Sequence, residues 1–342
     1  MNTQQLETLP PPPGVIASLQ AGFNIVSSRV ALILVPLALD VFVWLGPRWS
    51  VGDWFAPVYY AWLDFFRQYG NSSGAYAFYS ANAAQLIESA GNLNWLVWVR
   101  TLPIGVPALM LDLQQELLTQ TPLGLKEVVQ LPSFLSIFGS MGMLIVIGWL
   151  AGGWYFRLVA GASLGESEAG ISVLRAFVQT VILSVLWFIG LAILILPILF
   201  LISFLAAINI LLAQAAFFIV IFFLFWFLVP LFFMPHGIFV YKQNAFLSIL
   251  SSLRMSRFTL PTSSMFVFSE FLLWLGLGYL WRVPGGDSWL KLVGMAGYAF
   301  ISTMLLSASF VYYRDMNTWL QAVYQRMQQV QQMNDGSSIK KV

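Results

Sequence analysis

The sequence contains no cysteine, a single histidine and few charged residues. Without cysteine the chain can form no disulfide bond and carries no thiolate nucleophile. One histidine, His236, excludes a metal site built from several imidazoles, and we expect neither a metal nor another cofactor. The net charge of +2 over 342 residues gives no strongly basic surface, so no nucleic-acid partner is expected.

The sequence is instead rich in long apolar runs. Hydrophobic residues make up 59% of the chain and charged residues 9%, whereas a soluble domain has about 25% charged residues. A helix needs about 20 apolar residues to cross a bilayer core of roughly 30 Å. Single runs of this kind occupy 30–47, 133–153, 262–281 and 291–313. Together with one longer run, they predict an all-α protein, a polytopic transmembrane helix bundle of about six spans with interfacial amphipathic helices.

The longer run lies between Arg175 and Lys242 and contains no Asp, Glu, Lys or Arg. It predicts two spans that turn near 203–209. With six spans both termini lie on the same side of the membrane. Ten of the 16 Lys and Arg residues fall on that side and six on the other, most of these six in one long loop. Since loops rich in Lys and Arg remain in the cytoplasm, both termini are predicted to be cytoplasmic.

The spans divide the chain into five parts. These are an N-terminal tail with an interfacial segment (1–29), a first span (30–47), an outer interfacial loop region (48–132), a five-span helical bundle (133–313) and a cytoplasmic amphipathic helix with a flexible tail (314–342). Trp and Tyr are abundant in the loop region, so short helices on the outer membrane face are expected there. Its nearly apolar stretch 93–111 leaves two further alternatives, a seventh span or a re-entrant segment. Arg100 near its centre opposes the seventh span.

Two stretches outside the spans have an amphipathic pattern. In 244–258 apolar residues recur at helical spacing, and serines together with Arg254 and Arg257 occupy the rest of the helix surface. This pattern predicts a basic interfacial helix. In 314–333 the apolar residues step by four and three, which is a heptad seam of about two heptads. Its members are Met316, Leu320, Val323, Met327 and Val330.

The seam has two interpretations. A helix with such a seam binds a partner helix, or it lies on the membrane surface, which Trp319 and Tyr324 favour as interfacial residues. Besides the lipid bilayer, a protein partner is therefore expected to bind through 244–258 or 314–333.

Two carboxylic acids lie deep within predicted spans, Asp40 in the first and Glu270 in the fifth. A charged carboxylate at this depth costs at least about 2.5–3.5 kcal/mol, and no Lys, Arg or His is placed at a matching depth. Both groups are therefore expected to be protonated, hydrogen-bonded or in contact with water. They either tie helices together or form a pathway for a proton or a cation. Candidate neighbours in other spans are Gln179, Asn209, Gln214 and Ser302.

Other polar or small residues give weaker signals. His236 has no acid within a few residues and is interpreted as an interfacial polar residue. Glu166 and Glu168 lie in a loop where they either bind a cation or are simply solvated. Gly148 and Gly152 form a G-x-x-x-G step, which lets helices approach closely.

The segment GFNIVSSRVALILVPLALDVFVWLGPRWS (22–50) resembles the opening of a group of uncharacterised six-span bacterial membrane proteins, through its Pro-then-Asp span and its GPR exit. The second half is similar to the membrane domain attached to some glycerophosphodiester phosphodiesterases, through AFLSILSSLRMSRF (245–258) and VYYRDM (311–316). The resemblance implies a fold, a bacterial inner membrane and Asp40 as a regular feature of the first span. It implies no activity, because no segment here is long and polar enough to be the catalytic domain of those enzymes.

The sequence shows no phosphate-binding loop, nucleophile elbow or convergent acid–base pair. The leading hypothesis is therefore a non-enzymatic accessory or scaffold subunit of a membrane complex. The alternative is a small transporter or channel that uses Asp40 and Glu270. A third hypothesis, a membrane-embedded lipid enzyme, is disfavoured by the lack of a catalytic residue set.

Overall fold

The computed structural model of the protein describes residues 11–69, 73–111, 120–165 and 170–339. Its α-helices are α1 (Val15–Ser28), α2 (Leu34–Leu45), α3 (Gly52–Tyr69), α4 (Ser73–Ala81), α5 (Ala83–Asn92), α6 (Phe134–Leu164), α7 (Val173–Ile208), α8 (Ile210–Phe233), α9 (His236–Val240), α10 (Ala245–Arg282) and α11 (Lys291–Ile339). The strands are β1 (Arg48–Ser50), β2 (Gln120–Thr121), β3 (Gly124–Leu125) and β4 (Val128–Gln130). Short 3-10 helices are Val30–Ile33, Trp95–Val99 and Leu109–Leu111.

The predicted all-α bundle is confirmed. Within the described ranges, five helical stretches are long and apolar enough to cross a membrane, and a sixth exists if the bent pair α1 and α2 counts as one span. The five are Phe134–Leu164, Val173–Ile208, Ile210–Val240, Ala245–Arg282 and Lys291–Gln329. The protein is therefore a multi-pass membrane protein.

The first predicted span is the least regular. Residues 30–47 begin with the 3-10 turn Val30–Ile33, continue as α2 and leave the helix at Gly46. The 12 residues of α2 rise only about 18 Å, which is less than the roughly 30 Å of a bilayer core. The stretch is long enough for a crossing only when α1 is joined to it.

The later spans keep their predicted places and gain length. The break between α7 and α8 falls at Asn209, within the predicted turn, and its side chain accepts a hydrogen bond of 2.8 Å from Leu211 N as an N-cap. The helices α10 and α11 have 38 and 49 residues because each fuses a span to its neighbouring amphipathic stretch. In α10 the junction is marked by Thr259, which is not helical, just before Pro261.

The chain divides into two compact units. Unit 1 comprises 1–30, 156–274 and 303–342, and unit 2 comprises 31–155 and 275–302. Unit 1 therefore contains Glu270, and unit 2 contains Asp40.

Unit 2 is organised around the long loop region. Strand β1 pairs in parallel with β4 and thereby closes the segment 51–127. The short helices α3, α4 and α5 pack together within this segment. Helix α3 carries a ladder of neighbouring aromatic rings, formed by Phe55, Tyr59, Trp62 and Phe66. Such amphipathic rings favour a membrane interface, and the location of these helices on the outer face stays a prediction.

Unit 1 has its core along the middle of α11. Phe266 of α10 stacks on Tyr312 with ring centroids 4.0 Å apart. Helix α1 also approaches α11 closely, because a Cβ on Gly22 would lie 2.5 Å from the carbonyl oxygen of Met304. In contrast, none of the residues in the most apolar 18-residue stretch of α7 is buried, as expected for a helix whose surface contacts lipid.

Candidate functional site

Asp40 lies on α2 and is completely buried in unit 2. Its Oδ1 accepts a hydrogen bond of 2.8 Å from the backbone N–H of Met110. Met110 belongs to the buried 3-10 turn Leu109–Leu111. A carboxylate oxygen is a strong acceptor for a backbone donor that regular secondary structure does not pair. Asp40 therefore ties α2 to the loop region.

The stretch 93–111 is neither a transmembrane helix nor a surface helix. It is irregular backbone with 3-10 turns at Trp95–Val99 and Leu109–Leu111. Several of its side chains are buried, including Leu96, Ile104 and Val106. The seventh span is therefore excluded, and the segment is buried as an irregular chain against α6.

The G-x-x-x-G step of α6 receives this segment and not another helix. A Cβ on Gly148 would lie 2.2 Å from the carbonyl oxygen of Val99, and a Cβ on Gly152 would lie 2.9 Å from the Cα of Gly105. Only glycine permits backbones to approach this closely. Both glycines are near the middle of α6, so the irregular segment packs against the centre of that helix. Within a bilayer, irregular backbone is tolerated only where protein or water covers it.

Local hydrogen bonds satisfy polar groups of the buried segment. The hydroxyl of Thr101 donates to Ile104 O at 2.7 Å, and Oδ1 of Asn94 accepts from Leu96 N at 3.2 Å. At the far end of the segment Asp40 supplies the acceptor. The acid is thus part of a set of groups that make irregular backbone stable in an apolar environment.

Lys291, at the start of α11, is a basic group near Asp40 that sequence reasoning missed. Its side chain is buried, and its Nζ donates to Arg282 O at 3.2 Å and to Pro284 O at 3.0 Å. Within unit 2 its ammonium group interacts electrostatically with the Asp40 carboxylate. The prediction that no basic residue offsets Asp40 is therefore wrong. The sequence feature that could have indicated this interaction is the position of Lys291 at the start of the last predicted span.

Glu270 lies on α10 and is buried in unit 1. Its Oε1 has no hydrogen-bond partner among the described residues. Two of its four candidate neighbours are engaged elsewhere, since Gln179 accepts from Ala245 N at 2.7 Å and Asn209 caps α8. Asp40 and Glu270 fall in different units, and a proton or cation shared between them stays a prediction.

His236 is a buried core residue of unit 1, not an interfacial one. Its ring packs against Phe310 and Tyr313, and its Nε2 lies 2.7 Å from Ser309 Oγ. The Ser309 hydroxyl also lies within hydrogen-bonding distance of Leu306 O, at 2.8 Å. The histidine and the serine are both buried among core side chains of unit 1.

The first half of α10 turns two of its serines toward the rest of unit 1. Ser248 and Ser252 are buried, and their hydroxyls donate to Met234 O at 2.5 Å and to Pro230 O. Where α8 ends, Met234 N donates to Leu231 O and Ile238 N donates to Pro235 O. The carbonyl oxygens of Pro230 and Met234 therefore lack their usual helical donors and accept from the two serines instead. The prediction of a basic interfacial helix over 244–258 stays a prediction.

The outward face of this half-helix is apolar. Phe246, Leu250 and Leu253 are 62%, 46% and 43% exposed. A helix that presents apolar side chains and arginines outward is suited to lie against a membrane surface. Of the two arginines, Arg257 lies over the ring of Phe258 at 6.0 Å.

Arg254 forms one wall of a cleft of about 340 Å³ in unit 1. The other walls include residues of the α9–α10 connection and of α11, namely Tyr241, Gln243, Tyr313, Asn317 and Tyr324. Oε1 of Gln243 and the hydroxyl of Tyr313 are buried without a hydrogen-bond partner in the part of the chain that the structure describes. No pattern in the sequence indicates this cleft, because its walls meet only when α10 and α11 pack.

Lys126 is a second cation of unit 2 that sequence reasoning missed. It follows β3, outside the spans, and its Nζ donates to Val43 O at 3.0 Å near the C-terminal end of α2. A cation at this end of a helix is favourable because the last carbonyl groups lack intrahelical donors. Burial, together with the charge of Arg48, lowers the pKa of Lys126 to about 8.

No group of three or more His, Asp or Glu side chains within the described ranges could hold a metal ion. The loop acids Glu166 and Glu168, considered above as cation ligands, lie outside those ranges. No acid–base–nucleophile set is formed by Asp40, Glu270 and His236, whose described contacts are given above.

Comparison with known proteins assigns the chain to no family. No protein-family model, no curated protein and no solved structure matches it. The resemblance of the first 50 residues and of 230–316 to six-span bacterial membrane proteins therefore stays a prediction.

Proposed function

We propose that the protein is a non-enzymatic accessory or scaffold subunit of a membrane complex, held in a bacterial inner membrane with both termini in the cytoplasm. The observation that carries the proposal is the heptad seam of α11. The chain's own residues cover the first half of the seam and leave the second half open. A partner protein with an apolar helix face would complete it.

The exposure of the seam changes along the helix. Met316 is completely buried and Leu320 is 9% exposed, whereas Met327 is 56% exposed. Val323 is half-buried, and the side chain of Val330 lies outside the described residues. The apolar pattern thus continues past the point where unit 1 covers it. Apolar side chains at this spacing are the means by which one helix binds another.

The length of α11 supports a location of the open half of the seam beyond the membrane. Its 49 residues make a helix of about 74 Å, more than twice the roughly 30 Å core of a bilayer. The apolar span ends near Tyr313, and the helix continues for about 39 Å as a largely polar segment. A lone helix in water is only marginally stable, so a partner helix would stabilise this segment.

The chemistry of the buried polar groups supports a role without catalysis. Asp40 is engaged by a backbone N–H, and His236 and Ser309 are buried among core side chains of unit 1. An enzyme would need a nucleophile or water held by a base, together with donors for developing charge.

The seam is tested with the full-length double variant Val323→Gln, Met327→Gln. Both positions lie on the open half, so folding should be preserved while the partner is lost. Native gels and native mass spectrometry of protein extracted in mild detergent from its own membrane should show a smaller complex without the co-purifying subunit. The control Gln325→Ala, Gln329→Ala changes the other side of the same helix. Identical complexes for the seam variant and the control would contradict the proposal.

One observation favours the alternative of a small transporter. Oε1 of Glu270 is buried without a described partner, which suits a group that takes up and releases a proton. Proton flux into proteoliposomes, driven by an imposed membrane potential, should then be lost in Glu270→Gln while the protein stays folded. Asp40→Asn should also abolish the flux if both acids form the path. Equal flux for the wild type and the Glu270 variant would exclude this mechanism.

A further inference from the structure

The cleft at Arg254 contains a positive charge that the described residues do not balance. Arg254 is the only charged residue that lines it. Elsewhere in unit 1, Arg314 pairs with Asp315 at 2.8 Å and Arg257 lies over Phe258. Arg254 has no such contact in the described part of the chain, so its five N–H donors are available to a ligand.

Two neutral groups in the same cleft also lack partners. The hydroxyl of Tyr313, a completely buried residue, has none among the described residues, and the same is true of the buried Oε1 of Gln243. Buried polar atoms without a partner are rare in folded proteins, and each indicates a missing donor or acceptor. The cleft therefore offers donors at Arg254 and Tyr313 and an acceptor at Gln243.

This donor and acceptor set matches a phosphate group that carries a polar substituent. Phosphate oxygens only accept hydrogen bonds, and a planar guanidinium binds two of them at once. The hydroxyl of Tyr313 can donate to a third oxygen. The amide oxygen of Gln243 requires a donor in return, which a hydroxyl on the substituent would supply.

The surroundings of the cleft indicate that the phosphate belongs to a lipid. Leu250 precedes Arg254 by one helical turn and is exposed on the same side of α10, next to the exposed Leu253. Tyr241 and Tyr324 line the cleft and are 39% exposed, as is usual for residues at a membrane interface. Acyl chains would cover the leucines while the headgroup fills the cleft of about 340 Å³.

We infer that this cleft is a binding site for an anionic phospholipid whose headgroup carries a hydroxyl, the chemistry of phosphatidylglycerol. Arg254 and Tyr313 hold the phosphate, and Gln243 accepts a hydrogen bond from the headgroup hydroxyl. The inference does not rest on the seam partner proposed above, because Arg254, Tyr313 and Gln243 are not members of the seam.

The test is a titration of the full-length protein in neutral detergent, read by native mass spectrometry. The probes are dioleoyl phosphatidylglycerol, dioleoyl phosphatidylcholine, dioleoyl phosphatidic acid and inorganic phosphate. The wild type should bind phosphatidylglycerol at least about tenfold more tightly than phosphatidylcholine. Arg254→Gln should remove about tenfold of this affinity, and Tyr313→Phe should also weaken it while keeping the ring.

The matched control is Arg257→Gln, which removes the neighbouring arginine outside the cleft and should change the affinity less than about twofold. Equal losses in Arg254→Gln and Arg257→Gln would mean a general basic surface and would overturn the site. Displacement of the lipid by inorganic phosphate at low millimolar concentration would assign the cleft to free phosphate. Phosphatidic acid binding as tightly as phosphatidylglycerol would overturn the role given to Gln243. If the wild type bound phosphatidylglycerol and phosphatidylcholine with equal affinity, the whole inference would be rejected.

Discussion

Asp40 and Glu270 look alike in the sequence and differ in the structure. Each is a lone acid near the middle of an apolar run, and each is buried. Asp40 accepts a hydrogen bond from Met110 and interacts with the charge of Lys291, whereas Oε1 of Glu270 has no partner among the described residues. The reason lies in the neighbouring backbone, since an irregular segment needs an outside acceptor and a regular helix does not. Depth in a span thus does not show whether an acid is engaged by a hydrogen bond.

The largest effect is expected from Asp40→Ala. The variant leaves the buried N–H of Met110 without its acceptor and Lys291 without a nearby opposite charge. The free energy of unfolding should fall by about 3 kcal/mol, measured by denaturant or thermal unfolding in detergent. Asp40→Asn keeps an acceptor oxygen and should lose clearly less. If the free energy of unfolding of the alanine variant fell by less than about 1 kcal/mol, Asp40 would contribute as little to stability as Glu270 is expected to contribute.

Gly148→Ala tests the buried segment from the side of α6. The added methyl group would collide with the carbonyl oxygen of Val99, and we expect a loss of about 2–3 kcal/mol. Gly142→Ala on the same helix is the control, because nothing lies within 4 Å of its Cβ position. The control should be neutral or gain up to about 1 kcal/mol from helix propensity. Equal effects of the two substitutions would show that 93–111 does not pack there.

Lys126 gives a smaller effect that depends on pH. Burial lowers its pKa in the folded protein to about 8 from an ordinary value of 10.5, so between these values the unfolded chain binds more protons. The free energy of unfolding should therefore rise with pH from about 8 to about 10.5 and be independent of this group at lower pH. Lys126→Met should flatten that rise in unfolding experiments across the range. An identical slope in the variant would assign the titration to another group.

The smallest effect is expected from Glu270→Gln. The amide has the size of the carboxyl group, and Oε1 has no described partner to lose. The free energy of unfolding should change by no more than about 0.5 kcal/mol, in the same assay as for Asp40. A loss of more than about 1 kcal/mol would reveal a structural hydrogen bond and remove the contrast between the two acids.

The spans could be predicted from the sequence because crossing a membrane is a local property of a helix. An apolar run of sufficient length satisfies its own backbone hydrogen bonds, whatever its neighbours are. The turn at Asn209 could also be predicted, because asparagine is a polar residue suited to cap a helix. The structure of 93–111 could not be predicted in this way. It depends on the glycines of α6 and on Asp40, which are distant from the segment in the sequence.

The faces of α10 show a second limit. Helical periodicity separates the serines from the apolar residues in 245–258, but it does not say which face is inside. In water the apolar face would turn inward. Next to a bilayer it can turn outward, and the serines then donate to the carbonyl oxygens of Pro230 and Met234 at the end of α8. The cleft at Arg254 follows from this inversion and could not be read from the pattern alone.

The contact of 93–111 with α6 also constrains how the protein is made. The irregular backbone cannot enter lipid by itself, because its carbonyl and N–H groups would lose their water without gaining partners. The groove that accepts it is formed by Gly148 and Gly152, which the ribosome adds only afterwards. During biogenesis we therefore expect the segment to remain at the membrane surface until α6 has been inserted. At this point the order of assembly is the reverse of the order of synthesis.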